Sequence, residues 1–282
     1  MELNKVHNID FLNNTLPDKC ANLIIADPPY YKVKGDFDFI WKTFQDYLAD
    51  VNKWAIECKR LLKDNGTLLW YGDAKNIAYS QIIFDKHLNL LNSIVWENTN
   101  DHKQQIRFNE DLRSFAPLTE RILMYSNEQY NLTQCVYHIR DYIRAEITKA
   151  KGKVVLKHVN EALGTATNGG GVASACLSLD KSEPTMITKE MYEKLQVWCK
   201  PYLSKEYEEL RKEYEELRRP FNNYLHLGDV IRLPNYETSN YEHDTIKPEK
   251  LTRMLITTCA RKEDTVIVPF AGSGTECAMA IK

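Results

Sequence analysis

Residues 22–31 read NLIIADPPYY, and the fold is decided there. Leu23 to Ala26 is a continuous apolar run, as expected of a parallel strand covered on both faces. The run ends on a carboxylate, Asp27, followed by two prolines with fixed φ and no N–H to donate. In an open α/β sheet, ligands bind outside the carboxyl ends of the strands, which is where Asp27 would stand. Pro28 and Pro29 hold the following carbonyls and Tyr30 rigidly, so little entropy is left to lose on binding. A carboxylate with free carbonyls is an acceptor-only edge that suits an amino group, and Tyr30 adds a flat face. The stretch reads as a cradle for an –NH2 on a planar base. The plainer alternative is a Pro-Pro turn after a strand, with a solvated aspartate.

Strand and helix signals alternate on both sides of this stretch. "LNKVHNI" is a candidate strand ending at Asp10. Apolar residues at Phe37, Ile40, Trp41, Phe44, Leu48, Val51, Ala55, Cys58 and Leu62 form a helical stripe. Asp36 is placed to cap this helix and "DNG" at 64–66 to stop it. "TLLWY" (67–71), "SIVWE" (93–97) and "RILMYS" (121–126) read as further strands. The alternation predicts a doubly wound parallel sheet. From about 136 to 226 helix formers dominate, and "EYEELRK" at 206–212 is repeated as "EYEELRR" at 213–219. Two heptads are too few for a stable coiled coil, so a surface helix on its own domain is expected, ended by Pro220. The α/β pattern then returns with a helix in "KPEKLTRMLITTCA", a strand in "DTVIVPF" and a glycine turn opening a helix in "AGSGTECAMAIK". The expected organisation is an α/β domain (1–135 and 227–282) interrupted by a helical module (136–226).

Gly272-Ser273-Gly274 carries the second motif. Glycines let the backbone approach a ligand, and a helix N-terminus offers N–H groups. The lysine of a phosphate loop is absent, and Cys277 stands where a dinucleotide fingerprint has a small residue. Taken alone, the motif serves a nucleotide-like cofactor or is a tight structural turn; both readings stay open.

The 282 residues are 43% hydrophobic, enough for one large α/β domain or one domain carrying a smaller one. The net charge of −2 requires a nucleic-acid binder to concentrate its basic residues locally. No apolar run approaches the roughly 18 residues of a membrane span, and the first ten residues show no signal-peptide pattern. Seven cysteines without a CxxC pair, and no His pair at zinc-ligand spacing, read as reduced thiols of a cytosolic protein.

Together, Asp27-Pro28-Pro29-Tyr30 and Phe270-Ala271-Gly272-Ser273-Gly274 resemble the catalytic Asp-Pro-Pro-Tyr and cofactor Phe-x-Gly-x-Gly motifs of the amino-methylating DNA methyltransferases. Catalytic motif first, helical insertion next and cofactor loop last is similar to the β-group of that family. Residues 8–31, "FAPLTERILMYS" and "TIKPEKLTRMLI" extend the resemblance over roughly residues 3–126 and 227–282. It implies a Rossmann-like methyltransferase sheet interrupted by a target-recognition insertion. It also implies transfer of a methyl group from S-adenosylmethionine to the exocyclic N6 of a flipped-out adenine, without a metal. Cytosine N4, an RNA or protein amide, or a catalytically silent DNA-binding relative are the alternatives. Asp27, Pro28, Pro29 and Tyr30 would be catalytic. Asp10, Phe11, Asp27, Lys247, Pro269, Phe270, Ala271, Gly272, Ser273, Gly274 and Thr275 would serve the cofactor, with Lys247 either reaching its carboxylate or standing as an ordinary surface lysine.

The partners implied are double-stranded DNA and, where the enzyme is one of a pair, a cognate restriction endonuclease in a bacterial or phage-encoded cytoplasmic system; monomer and homodimer stay open. "RDYIRAEITKAKGKVVLK" (140–157) has six Lys/Arg against two acidic residues, a local excess that can meet phosphates. Tyr31, Lys103, Arg107, Arg140, Arg144, Lys151, Lys153, Lys157 and Asn168 are the candidate DNA contacts; Tyr31 reads equally as a second ring or as core, and the polar stretch 98–113 with Lys103 and Arg107 as a loop near the flipped base or a solvated loop. Thr167 to Gly171, between two helical patterns, fits a helix-turn-helix or an ordinary helical hairpin. Two departures stand out. Val268 replaces the family's usual aspartate before Pro269-Phe270. The chain also stops at Lys282, inside a helix, where the family continues into a strand that lies beside the first one. The resemblance therefore implies a further βαβ-sized unit of about 30 residues, or a first strand that slides into its place.

Overall fold

A computed structural model describes residues 2–33, 36–99, 113, 115, 117–127, 133–181, 184–235 and 246–282. The chain forms two compact units: Met1–Glu128 with Pro220–Lys282, and Gln129–Arg219.

The first unit is built on a six-stranded sheet of β1 (Ala21–Ala26), β2 (Leu62–Asp73), β3 (Asn89–Asn98), β4 (Thr119–Ser126), β5 (Val230–Leu233) and β6 (Val266–Ile267). The order across the sheet is β5-β3-β4-β2-β1-β6. β1 is parallel to both β2 and β6, β3 is parallel to β5, and β4 is antiparallel to β2 and β3. One reversed strand has a chemical consequence: β4 delivers its first residues, not its last, to the edge where the parallel strands end. Glu120 is thereby paired with Asp73 at the close of β2.

Alternation along the central strands explains the two-sided burial. Ile24, Ala26, Leu68 and Trp70 face one core with α1 (Phe44–Leu61) and α2 (Ile77–Phe84). Leu23, Ile25, Leu69 and Tyr71 face another with Leu251, Met254, Leu255 and Cys259 of α8 (Glu249–Cys259). Helices cover both faces, and α9 (Thr275–Ile281) follows the glycine turn.

Three local expectations are corrected. The N-cap of α1 is Thr43, not Asp36: Thr43 Oγ1 accepts from the Asp46 N–H while Asp46 accepts from the Thr43 N–H, a reciprocal pair that Asp36 cannot make. The helix stops at Leu61 and runs straight into β2, so "DNG" lies within the strand. A Cβ on Gly66 would sit 3.0 Å from the Ala21 carbonyl oxygen, so glycine there permits the close approach of β1 and β2. Finally, residues 2–10 form no strand. Leu3 and Val6 are 77% and 70% exposed, and among the described residues β6 has β1 as its sheet neighbour and nothing beyond. An extended segment without a ladder partner leaves its backbone groups to water, and the segment does not slide beside β6 either.

The second unit packs α3 (Thr133–Lys151), α4 (Leu156–Leu163), α5 (Val172–Leu177), α6 (Lys189–Cys199) and α7 (Tyr207–Leu217) around Ile143, Ile147, Val159, Leu163, Tyr192 and Leu195. The heptad repeat is α7, a helix seated on its own unit through Leu210, Tyr207 and Tyr214. Asn160 holds the α4–α5 connection: it accepts from the Ala173 N–H at 2.8 Å and the Thr165 hydroxyl at 2.9 Å, and donates to the Gly170 carbonyl at 3.2 Å. Gly171, at φ 106°, makes the turn into α5. None of the seven cysteines forms a disulfide. No helix among the described residues is long and apolar enough to cross a membrane.

Candidate active site

The sheet brings the two motifs to one edge. β1 and β6 are adjacent and parallel, with Ile24 opposite Ile267, so Asp27 and the turn at 268–274 leave the sheet side by side. Past Asp27, Pro28 is buried and Pro29 half-buried. The Tyr30 N–H donates to buried Asp38 at 2.6 Å, which closes the turn behind the prolines.

Asp27 sits in a network of charge. The Tyr30 hydroxyl donates to Asp27 Oδ1 at 2.7 Å and approaches Glu120 Oε2 at 3.3 Å. Lys247 Nζ lies 2.9 Å from Asp27 Oδ2 and 3.1 Å from Glu120 Oε2. The Lys247 side chain is 4% exposed, and its ammonium stands 5.5 Å from the Tyr30 ring centre and 5.1 Å from that of Tyr71. Burial pushes against the ammonium's charge, yet the two carboxylates outweigh it and hold the group above the ordinary lysine range. Burial first, then the charges of Asp27 and Glu120, raise the Tyr30 phenol, so it stays a donor. Glu276, in the first turn of α9, is 4% exposed with Oε1 unpartnered. Its burial, reinforced by the charge of Asp27, pushes its carboxyl up to about 7.

The glycine turn is open, and Phe270 just before it packs among aromatic rings. Gly272 and Gly274 take φ of 48° and 80°, and a Cβ on Gly274 would meet nothing within 4 Å. The Gly274 N–H closes the turn on the Ala271 carbonyl, and the Ser273 and Thr275 hydroxyls are 3.0 Å apart. Phe270 meets Phe11 at 6.0 Å, Trp54 at 5.0 Å and Trp70 at 6.1 Å between ring centres. Asp10 accepts from the Leu12 N–H at 2.7 Å and so fixes the turn that presents Phe11.

Such an edge offers hydrogen-bond acceptors, a rigid aromatic wall and an excess of carboxylates over ammonium groups. The chain matches the DNA methylase family (N6_N4_Mtase) over residues 21–282. It belongs to that family. Among relatives of this family member, the Type II methyltransferase M.HinfI of Haemophilus influenzae is 31% identical over 102 residues, 30% of this chain. The chain spans only 28% of that relative's length. The DNA adenine methyltransferase YhdJ of Escherichia coli (strain K12) is 24% identical over 274 residues, 94% of this chain and 70% of YhdJ. Among solved structures, the PvuII DNA methyltransferase (cytosine-N4-specific) superposes with a TM-score of 0.51 at 12% identity, covering 96% of this chain and 76% of that one. The likeness shows that the fold is shared.

Other sequence-derived residues fall elsewhere. Tyr31 packs between Phe44 and Tyr47, with Lys32 above its ring. Arg140 pairs with Asp141 and lies over Tyr137, and Arg144 donates to the Leu177 carbonyl at 2.6 Å. Lys151 lies over the Trp198 ring; Lys153, Lys157 and Asn168 are exposed. Lys103 and Arg107 lie outside the described residues. Sequence reasoning passed over Asp38, Glu120 and Glu276. The signal for Glu120 was a carboxylate opening the apolar run 122–125; Glu276 looked like an ordinary acidic residue of a first helical turn.

Proposed function

We propose that the chain methylates the exocyclic N6 of adenine in double-stranded DNA, using S-adenosylmethionine. The observation that carries this is the placement of Asp27-Pro28-Pro29-Tyr30 beside the Phe270–Gly274 turn on neighbouring parallel strands. The donor is a sulfonium with an adenosyl group. Phe11 and Phe270 fit its aromatic part, with Asp10 and residues 271–275 beside them, and the unpartnered Glu276 oxygen fits its positive charge. When bound, S-adenosylmethionine supplies the electrophilic methyl carbon.

The chain's own groups do the rest. Asp27 accepts one N–H of the base and the Pro28 carbonyl a second, drawing the amino lone pair out of the ring system. Tyr30, tied to Asp27 through its hydroxyl, fixes the wall against which the planar base lies. An amino group inside a duplex is out of reach, so the base is extruded. Holding both reactants on one rigid sheet edge supplies alignment. In the helical unit, Lys151, Lys153, Lys157 and the exposed loop around Asn168 are the groups proposed to meet DNA. Adenine is favoured over cytosine by the aspartate that opens the motif and by the similarity to YhdJ along 94% of this chain.

The test is incubation of the protein with methyl-labelled S-adenosylmethionine and DNA of mixed sequence, followed by digestion to nucleosides. Label is expected in N6-methyladenine. Label in N4-methylcytosine moves the reading to cytosine. Label in added RNA or protein instead, or calorimetry showing no donor binding, overturns it.

A further inference from the structure

Lys247 and Tyr30 bridge the same two carboxylates, Asp27 and Glu120. Each oxygen of Asp27 accepts one bond, Oδ1 from the phenol and Oδ2 from the ammonium, so the carboxylate plane is pinned at both ends. A carboxylate offers about four lone-pair sites, so room remains on each oxygen for a further donor. Asp27 keeps 20% of its side chain exposed, and a substrate N–H can reach it. Lys247 is almost wholly enclosed, its charge matched by two carboxylates and faced by two aromatic rings. A cation so placed has no need of a ligand's carboxylate.

We propose that Lys247 and Glu120 are positioning residues that act on the substrate amino group through Asp27, and that Lys247 does not bind the methyl donor. Glu120 divides the lysine's charge between two acids, so that Lys247 orients Asp27 without closing over it. The proposal rests on the reading of Asp27 as the acceptor of the amino N–H. The charged and titratable groups facing the cluster are Tyr30 beyond β1, Tyr71 on β2, Glu120 on β4 and Glu276 on α9.

The test compares Lys247→Met, Lys247→Arg and Glu120→Gln in the full chain. Donor binding is followed by calorimetry, folding by thermal melting and methyl transfer to DNA by kcat and KM across pH. Lys247→Met is expected to lower kcat by about tenfold or more while donor affinity stays within about twofold, with a changed pH profile. Lys247→Arg restores most of kcat, because a guanidinium still spans both acids. Glu120→Gln, which keeps the shape and one acceptor oxygen, lowers kcat without weakening donor binding. Lost donor affinity in Lys247→Met with an unchanged pH profile overturns the proposal. So does a folded Glu120→Gln with wild-type kcat. A wild-type protein that labels no DNA refutes the methyltransferase reading instead. The positioning claim is then judged by nuclear magnetic resonance of the Lys247 ammonium, which must shift in Glu120→Gln and stay put on adding S-adenosylmethionine.

Discussion

Lys247, in the sheet unit, is 4% exposed and spans two acids, whereas Lys153 and Lys157, in the helical unit, stand in solvent. Arg140 and Arg144 lie between: they keep their charge but spend their hydrogen bonds on Asp141 and the Leu177 carbonyl. The contrast separates two uses of positive charge. At the sheet edge the cation is part of a fixed acceptor geometry and faces low dielectric, where a lost partner is costly. On the helices an exposed cation is screened and adjustable, suited to a polyanion contacted at many points. A basic stretch counted from sequence mixes both kinds.

The largest effect expected on the sheet side is Asp27→Asn. It keeps an acceptor oxygen for Lys247 but not the charge, and should lower kcat by about a hundred- to a thousandfold while DNA binding in a shift assay is unchanged. Equal loss of DNA binding would erase the distinction between the two regions.

Next is Glu276→Gln. The folded chain holds a proton on this carboxyl up to about pH 7, against an ordinary 4.5. Between those values the folded state binds more protons than the unfolded one. Stability is therefore fullest below the window, falls as pH rises through it and stays lower above. A shift of that size corresponds to about 3 kcal/mol. Glu276→Gln should melt at higher temperature than the wild type above neutrality and lose the advantage in acid. Parallel melting curves at both pH values would show that the carboxyl is not buried as described.

What the sequence made legible follows from range. Leu23–Ala26 running into Asp-Pro-Pro needs only a strand's period and proline's fixed φ, so the β1 corner could be read directly. The glycine turn was legible for the same reason, since it is local. The partners of Asp27 were not, because Glu120 and Lys247 are 93 and 220 positions away, and nothing local marks a lysine as buried. The reversal of β4 is what moves Glu120 to the functional edge, and a single strand does not announce its direction. The cap of α1 is not decided by local sequence, since Asp36 and Thr43 both precede apolar stripes and only the reciprocal bonds with Asp46 choose between them. The candidate strand "LNKVHNI" leading to Asp10 has an apolar pattern but no neighbour among the described residues.

On the helical side, Asn160→Ala tests whether the α4–α5 connection is a built loop. Asn160 is 2% exposed and satisfies three groups around Thr165–Ala173. Its removal leaves the Ala173 N–H buried without an acceptor, which costs about 1–3 kcal/mol. Melting should register that loss, with any effect on methyl transfer confined to KM for DNA and kcat unchanged. A variant as stable as the wild type would mean the loop is held by its glycines alone.

The smallest effects distinguish exposed cations from engaged ones. Lys153→Ala and Lys157→Ala should each weaken DNA binding modestly and alike for every sequence. Where the lysine meets a phosphate, the slope of log affinity against log salt becomes shallower by about 0.9. Arg144→Ala should behave differently. It removes the donor to the Leu177 carbonyl at the end of α5, so it should lower the melting temperature while leaving the salt slope near the wild-type value. If Arg144→Ala instead flattens the slope as Lys153→Ala does, its guanidinium leaves Leu177 for a phosphate on binding. The division between structural and DNA-facing cations would then have to be drawn in the complex, because burial in the free chain would no longer predict it.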